Sequence, residues 1–80
     1  MNTLTDTINY MTSENYKERF LAEYHQLRIR YDKLHMMVCN WDQLDFTPTC
    51  EKSIYEKQLK AMSDYLFILR ERAEIEGINL

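Results

Sequence analysis

Apolar side chains recur at alternating spacings of three and four residues along two long stretches of the chain, which is the pattern of amphipathic helices. In the first stretch these positions are held by Phe20, Tyr24, Leu27, Tyr31, Leu34, Val38 and Trp41. In the second they are held by Tyr55, Leu59, Met62, Leu66, Leu69 and Ala73. The pattern predicts helices over about residues 15–40 and 48–76.

The segment between the two stretches is short and contains the only proline, Pro48. Proline disfavours helical backbone at the preceding residue and suits the first turn of a helix, so Thr47 or Thr49 is expected to cap the second helix. The apolar residues of the link are expected to fold back over its end: Trp41, Leu44 and Phe46. Because a short link holds two helices antiparallel, the fold class is all-α, an antiparallel two-helix hairpin.

Both outer ends of the hairpin carry signals of their own. Asn15, followed three residues later by Glu18, fits a variant capping box at the start of the first helix. The only glycine, Gly77, fits the left-handed position just past the second helix, with Ile78 as the apolar contact that accompanies it. The hairpin domain is therefore expected to span residues 15–80.

Residues 1–14 are rich in Thr and Asn, which favour turns and caps over helix interiors. We expect a flexible or partly ordered N-terminal arm. Leu4, Ile8 and Tyr10 are the side chains that could dock this arm on another surface.

The helices carry more apolar surface than one hairpin contact needs. On the first helix a second stripe recurs every seven residues opposite the main one: Ala22, Ile29 and Met36. The second helix adds Ile54, Ala61, Ile68 and Ile75, with Tyr65 and Phe67 elsewhere around it. A helix that is apolar nearly all round is buried by neighbours, so we expect an oligomeric helical bundle. Scattered exposed apolar residues are the alternative.

Size and charge limit the possible classes of protein. The chain has 80 residues, enough for one small domain, and its net charge of -3 argues against a general DNA or RNA binder. The first 12 residues have no basic start and no apolar run, and no stretch is long enough to span a bilayer. We therefore expect no membrane association and a reducing cytoplasm.

Candidate chemistry is sparse. His35, Cys39 and Cys50 offer at most three ligands where a structural zinc site needs four, so no metal is expected. A Cys39–Cys50 disulfide is geometrically possible but is not expected in a reducing cytoplasm. Neither His25 nor His35 has a nucleophile at a meaningful spacing, and no acid–base pair stands out among the carboxylates. The chain is therefore not expected to be an enzyme or to carry a cofactor.

Basic and aromatic residues are interleaved. One group lies in the middle of the first helix: Tyr24, Arg28, Arg30, Tyr31 and Lys33. Arg70 and Arg72 form a second group near the end of the second helix. An arginine can bind a phosphate while a neighbouring ring stacks on a base, which suits a nucleotide ligand. The alternative is ion pairing on helix faces, for which Asp32, Glu71 and Glu74 are available.

Several segments resemble a family of short proteins of bacteriophages and prophages over residues 15–80. The most specific are Asp45-Phe46-Thr47-Pro48-Thr49-Cys50 and Arg72-Ala73-Glu74-Ile75-Glu76-Gly77-Ile78. That family is similar to the helical-hairpin domain of phage nucleotide sponges, which oppose the CBASS and Thoeris immune systems. The resemblance implies a noncatalytic homo-oligomer that sequesters cyclic oligonucleotides or ADP-ribose-derived signals between subunits.

In those sponges a tyrosine near the start of the first helix and a basic residue further along it line the pocket. Tyr16 with Arg28 or Lys33 are the matching positions here. With the two tyrosines of the basic group, the predicted ligand-binding residues are Tyr16, Tyr24, Arg28, Tyr31 and Lys33. The alternatives are a protein–protein inhibitor of a host defence enzyme comparable to anti-CRISPR proteins, another host-takeover factor, or a structural or regulatory helical oligomer without a small ligand.

Overall fold

A computed structural model describes all 80 residues, which form helices and no strand. A 3₁₀ turn at Thr5–Thr7 leads into α1, Ile8–Met11. The two long helices are α2, Tyr16–Cys39, and α3, Lys52–Glu76, with a second 3₁₀ turn at Trp41–Gln43 between them. The molecule measures 42 × 24 × 16 Å. None of its helices has the length and apolar character needed to cross a membrane.

The core lies between α2 and α3, along the predicted apolar positions. A single cluster is formed there by Phe20, Tyr24, Leu66, Leu69, Ala73 and Ile78, with Leu21, Leu27 and Tyr31 packed against it. We call this contact between α2 and α3 the seam. Leu69 is almost fully buried, and Leu59 is buried further along the same side of α3. The two-helix hairpin and its all-α class are therefore confirmed.

The helix ends agree with prediction at one end and differ in detail at the other. Gly77 has φ 69° in the left-handed region, and the N–H groups of Gly77 and Ile78 both donate to the carbonyl of Ala73. Asn15 caps α2 by accepting from the N–H of Lys17, 2.9 Å away. Glu18 does not complete a capping box, because its carboxylate accepts from the hydroxyl of Ser13 instead.

The link between the helices is longer than predicted. Helix α3 begins at Lys52 rather than near Pro48, and Glu51 occupies the N-cap position without a side-chain hydrogen bond. The expectation that Thr47 or Thr49 caps the helix is therefore wrong, since residues 44–51 stay nonhelical. At the end of the hairpin, Trp41 lies against Tyr55 with ring centroids 6.0 Å apart. Phe46 does not join it and remains more than half exposed.

The N-terminal arm, expected to be flexible or partly ordered, is folded. Its chain turns back on itself because the Asp6 carboxylate accepts from the N–H groups of Asn2 and Thr3, and these bonds lower the pKa of Asp6. The hydroxyl of Thr7, a fully buried residue, donates to the carbonyl of Leu4. The same hydroxyl accepts from the amide of Gln26, 2.9 Å away on α2. The arm is thereby fixed on the outer side of α2.

The arm covers part of the excess apolar surface of α2. Ala22 and Ile29 are buried, yet neither belongs to the cluster at the seam. They lie on the side of α2 that carries Gln26, where α1 packs. The sequence predicted that other copies of the chain would cover these two residues. They are not needed for this, because the arm covers both. Met36, the third member of that stripe, is exposed, and so are Ile54, Ile68 and Ile75 on α3.

Replacing Thr7 by Val should destabilise the fold by about 1–2 kcal/mol, because Gln26 and the carbonyl of Leu4 lose a buried partner. Thr5→Val is the matched control, since Thr5 is exposed and its side chain makes no hydrogen bond in the structure. Urea unfolding followed by circular dichroism measures both. Equal stability of the two variants would contradict the buried position of Thr7.

Replacing Gly77 by Ala should cost about 1 kcal/mol of unfolding free energy, because an L-residue is strained at positive φ. The cost is confined to the backbone, since a Cβ at this position meets no atom within 4 Å. Gly77→Asn should cost less, because asparagine tolerates the left-handed region. Thermal unfolding of the two variants should therefore rank them wild type, Asn, Ala in falling stability.

Candidate ligand-binding face

Tyr24 and Arg70 form a contact that joins the two long helices beside the core. The ring of Tyr24 is buried in the seam, and its hydroxyl accepts a hydrogen bond from Nε of Arg70 at 3.2 Å. The Arg70 guanidinium lies 5.7 Å from the centre of that ring, within the range of a cation–π contact. The bond uses one of five donor hydrogens, so the two terminal nitrogens of Arg70 remain available to an anion.

Arg28 follows Tyr24 by one helical turn on α2 and is partly exposed. Its Nη2 donates to the carbonyl of Met1 at 2.8 Å, and its Nη1 lies 3.4 Å from the carboxylate of Asp32. The first bond is part of what fixes the arm. The second is the ion pair with Asp32 that the sequence offers as the alternative to ligand binding. We call Tyr24, Arg28 and Arg70 together the arginine face.

His25 follows Tyr24 directly in α2 and lies next to this face, towards the side of the helix where the arm packs. Its ring centre is 5.2 Å from that of Tyr24, and its Nδ1 is buried without a hydrogen-bond partner. Burial lowers the pKa of His25, and the positive charges of Arg28 and of the N-terminal amino group lower it further. The imidazole is therefore kept neutral near pH 7.

Tyr31 and His35 stack further along the same side of α2. Their ring centres are 5.6 Å apart and their planes differ by 11°. His35 in turn lies against Cys39, with Nε2 3.7 Å from Sγ. Cys39 and Cys50 are both free and exposed. No three His, Cys, Asp or Glu side chains come together in a way that could hold a metal ion.

Two of the predicted ligand residues, Tyr16 and Lys33, lie far from each other. Both are exposed on α2, but 17 positions separate them, which is about 26 Å along a helix. Tyr16 lies one turn before Phe20, whose ring is covered by the Arg72 guanidinium at 4.9 Å. One chain therefore places Tyr24, Arg28 and Tyr31 within about two turns of α2. Lys33 follows Tyr31 by two positions, and Tyr16 precedes Tyr24 by eight.

Sequence reasoning left Arg70 out of the predicted site. The contact between Tyr24 and Arg70 crosses 46 positions of sequence and depends on how the two helices are rotated against each other. Glu23 and Tyr65 form a second hydrogen bond of this kind on the other edge of the seam. Helical periodicity relates residues three and four positions apart on one helix. It therefore could not predict either of these two contacts between α2 and α3.

The arginine face has the chemistry to bind an anion. The Arg70 guanidinium contacts Tyr24, Arg28 lies one turn further along α2, and arginine binds phosphate and carboxylate through paired N–H donors. The half-exposed ring of Tyr31 is near enough in sequence to add a stacking surface to this face. The structure shows no enclosed pocket in a single chain.

Comparison with known families gives one match. The family model described as Sequestin matches residues 14–75, which includes α2, the link and nearly all of α3. Comparisons with curated proteins and with solved structures gave no match.

The partial burial of His25 makes stability depend on pH. Because the pKa of His25 is lower in the folded chain than the ordinary value of 6.5, the unfolded chain binds this proton more readily. Stability should then be constant above about pH 7 and fall as the pH drops through 6.5 towards the folded pKa. His25→Gln should flatten this dependence, whereas His35→Gln should retain it. Urea unfolding at a series of pH values measures the slope, and an unchanged slope in His25→Gln would contradict the assignment.

Proposed function

The chain belongs to the Sequestin family, and we propose from this premise that it binds and sequesters a small anionic ligand without chemical conversion. The family name refers to sequestration. The ligand that best fits the residues is a nucleotide second messenger, either a cyclic oligonucleotide or a signal of the cyclic ADP-ribose type. Such a ligand presents phosphates to arginine and flat bases to aromatic rings.

The observation that carries this proposal is the arginine face. Arg70 is held by the hydroxyl of Tyr24 with its terminal nitrogens free, and Arg28 lies one turn along α2. A phosphate bound by both guanidinium groups would compete with the Met1 carbonyl and with Asp32 for Arg28. Sequestration requires affinity and no turnover, which agrees with a face built of donors and rings.

The proposal includes assembly of several copies. The resemblance to phage sponges places the ligand between subunits, where Tyr16 and Lys33 of one copy could approach the arginine face of another. A symmetric ligand with two phosphates would then meet the same arginine twice, once from each copy. In this proposal the protein is encoded by a phage and acts in the cytoplasm of the host bacterium, where it removes the signal of an immune system.

A second candidate is direct inhibition of a host defence protein. It is favoured by the exposed apolar residues of α3, among them Phe67, which is 63% exposed. Exposed aromatic side chains are common anchors in protein–protein interfaces. In this case the bound partner would be a protein, and the arginine face would have no nucleotide ligand.

Cyclic di- and trinucleotides and cyclic ADP-ribose isomers are the probes for a thermal-shift screen. A ligand at 100 times its Kd stabilises the folded state by about 2.7 kcal/mol. That corresponds to a rise in Tm of about 10 °C or more for a domain of this size. Absence of any shift across these probes at millimolar concentration would refute the nucleotide proposal, and copurification of a stoichiometric protein would favour inhibition.

Arg70→Gln should weaken binding of the ligand found in that screen by about tenfold or more, because a charge-assisted phosphate contact is lost. Arg30→Gln is the matched control, since Arg30 is exposed on α2 and makes no hydrogen bond or ion pair in the structure. Isothermal titration calorimetry measures both affinities. Equal losses in the two variants would show that net charge, and not the arginine face, determines binding.

A further inference from the structure

Helix α3 carries a stripe of apolar residues that the hairpin leaves uncovered. It consists of Ile54, Ala61, Ile68 and Ile75, all exposed and spaced seven residues apart. We call this set the outer stripe. It spans 21 positions, about 32 Å along the helix, in a molecule 42 Å long. Its most exposed member, Ile75, is 83% exposed.

No element of the same chain is available to cover the outer stripe. The seam uses the opposite side of α3, through Leu59, Leu66, Leu69 and Ala73. The arm packs on α2. Tyr65 borders the stripe and is fixed by its hydrogen bond to Glu23, so the surface beside the stripe is held in place. Exposed apolar residues that recur every seven positions along a helix are typical of a surface that packs against another helix.

We infer that the outer stripe binds the outer stripe of a second copy, with the two α3 helices antiparallel about a twofold axis. This inference rests on the self-association that the proposed function includes. It specifies which face mediates the contact and how the two helices are oriented.

The sizes of the side chains favour the antiparallel arrangement. With equal spacing, Ile54 of one copy lies level with Ile75 of the other, and Ala61 lies level with Ile68. The small alanine then receives a large isoleucine in both central layers. A parallel pair would place Ala61 against Ala61 and Ile68 against Ile68, leaving a gap beside a crowded layer, which close-packed interfaces avoid.

The charges that border the stripe agree with this arrangement. Lys57, Asp64 and Glu71 follow one edge of the outer stripe, also seven residues apart. In a twofold antiparallel pair this edge faces itself, so Lys57 of each copy lies opposite Glu71 of the other. The two copies of Asp64 come together near the axis, where Lys60 of the same chain, 3.3 Å from Asp64, offsets their charge.

The contact leaves the arginine face accessible. Arg70 follows Ile68 by two positions, which is about 200° around the helix, so the two side chains point to opposite sides of α3. Loss of the dimer and loss of ligand binding can therefore be measured separately. The interface is tested without ligand, and the ligand proposal is tested by the titrations described above.

Light scattering coupled to size-exclusion chromatography, with sedimentation velocity over a concentration series, tests the contact. The wild-type chain should be dimeric or larger, and Ile68→Glu should raise the dissociation constant of the pair by about 100-fold or more. Phe67→Glu is the matched control, because Phe67 is as exposed but lies on a different side of α3. Circular dichroism confirms that both variants remain helical. A monomeric wild type, or equal effects of the two substitutions, overturns the inference.

Disulfide trapping tests the orientation in a background where Cys39 and Cys50 are replaced by Ser. Single variants Ala61→Cys and Ile68→Cys should each cross-link poorly alone, because like positions lie seven residues apart along the antiparallel pair. Mixing the two variants should give the cross-linked heterodimer. Efficient cross-linking of either variant with itself would indicate a parallel pair and overturn the proposed geometry.

Discussion

The seam between α2 and α3 is the contact on which the other features of the molecule depend. Because it fixes the rotation of each helix, it determines which residues meet at its two edges. On one edge Tyr24 meets Arg70, and on the other Glu23 meets Tyr65. The same rotation turns the outer stripe of α3 away from the core. The proposed ligand face and the proposed assembly face therefore lie on different sides of the same hairpin.

A two-helix hairpin of this size has one layer of core and needs further burial to be stable. The arm supplies part of it, because it covers Ala22 and Ile29 on the outer side of α2. It is tied there by polar contacts, with Thr7 bonded to Gln26 and the Met1 carbonyl bonded to Arg28. Arg28 therefore has a structural role whether or not it binds a ligand. Helix α3 has no such cover from its own chain.

Features with a short repeat in sequence could be predicted, and those that depend on distant residues could not. The seam and the left-handed Gly77 follow from periodicity and from the conformational freedom of glycine. The start of α3 was placed too early because Pro48 permits a helix to begin but does not require it. Whether the arm is flexible or ordered could not be predicted, because its order comes from Asp6 and from contacts with α2. In the candidate site, Arg70 was missed for the same reason, since its partner lies on the other helix.

The single tryptophan stands at the end of the hairpin that the arm does not reach. Trp41 packs on Tyr55 across the link, whereas the arm is attached near the middle of α2. Intrinsic tryptophan emission will therefore report whether the link end of the hairpin is closed. Local release of the arm, which can open without the whole fold, would leave that emission unchanged. Tryptophan fluorescence and circular dichroism recorded together can thus separate the release of the arm from the opening of the hairpin. Circular dichroism alone would merge these two steps of unfolding.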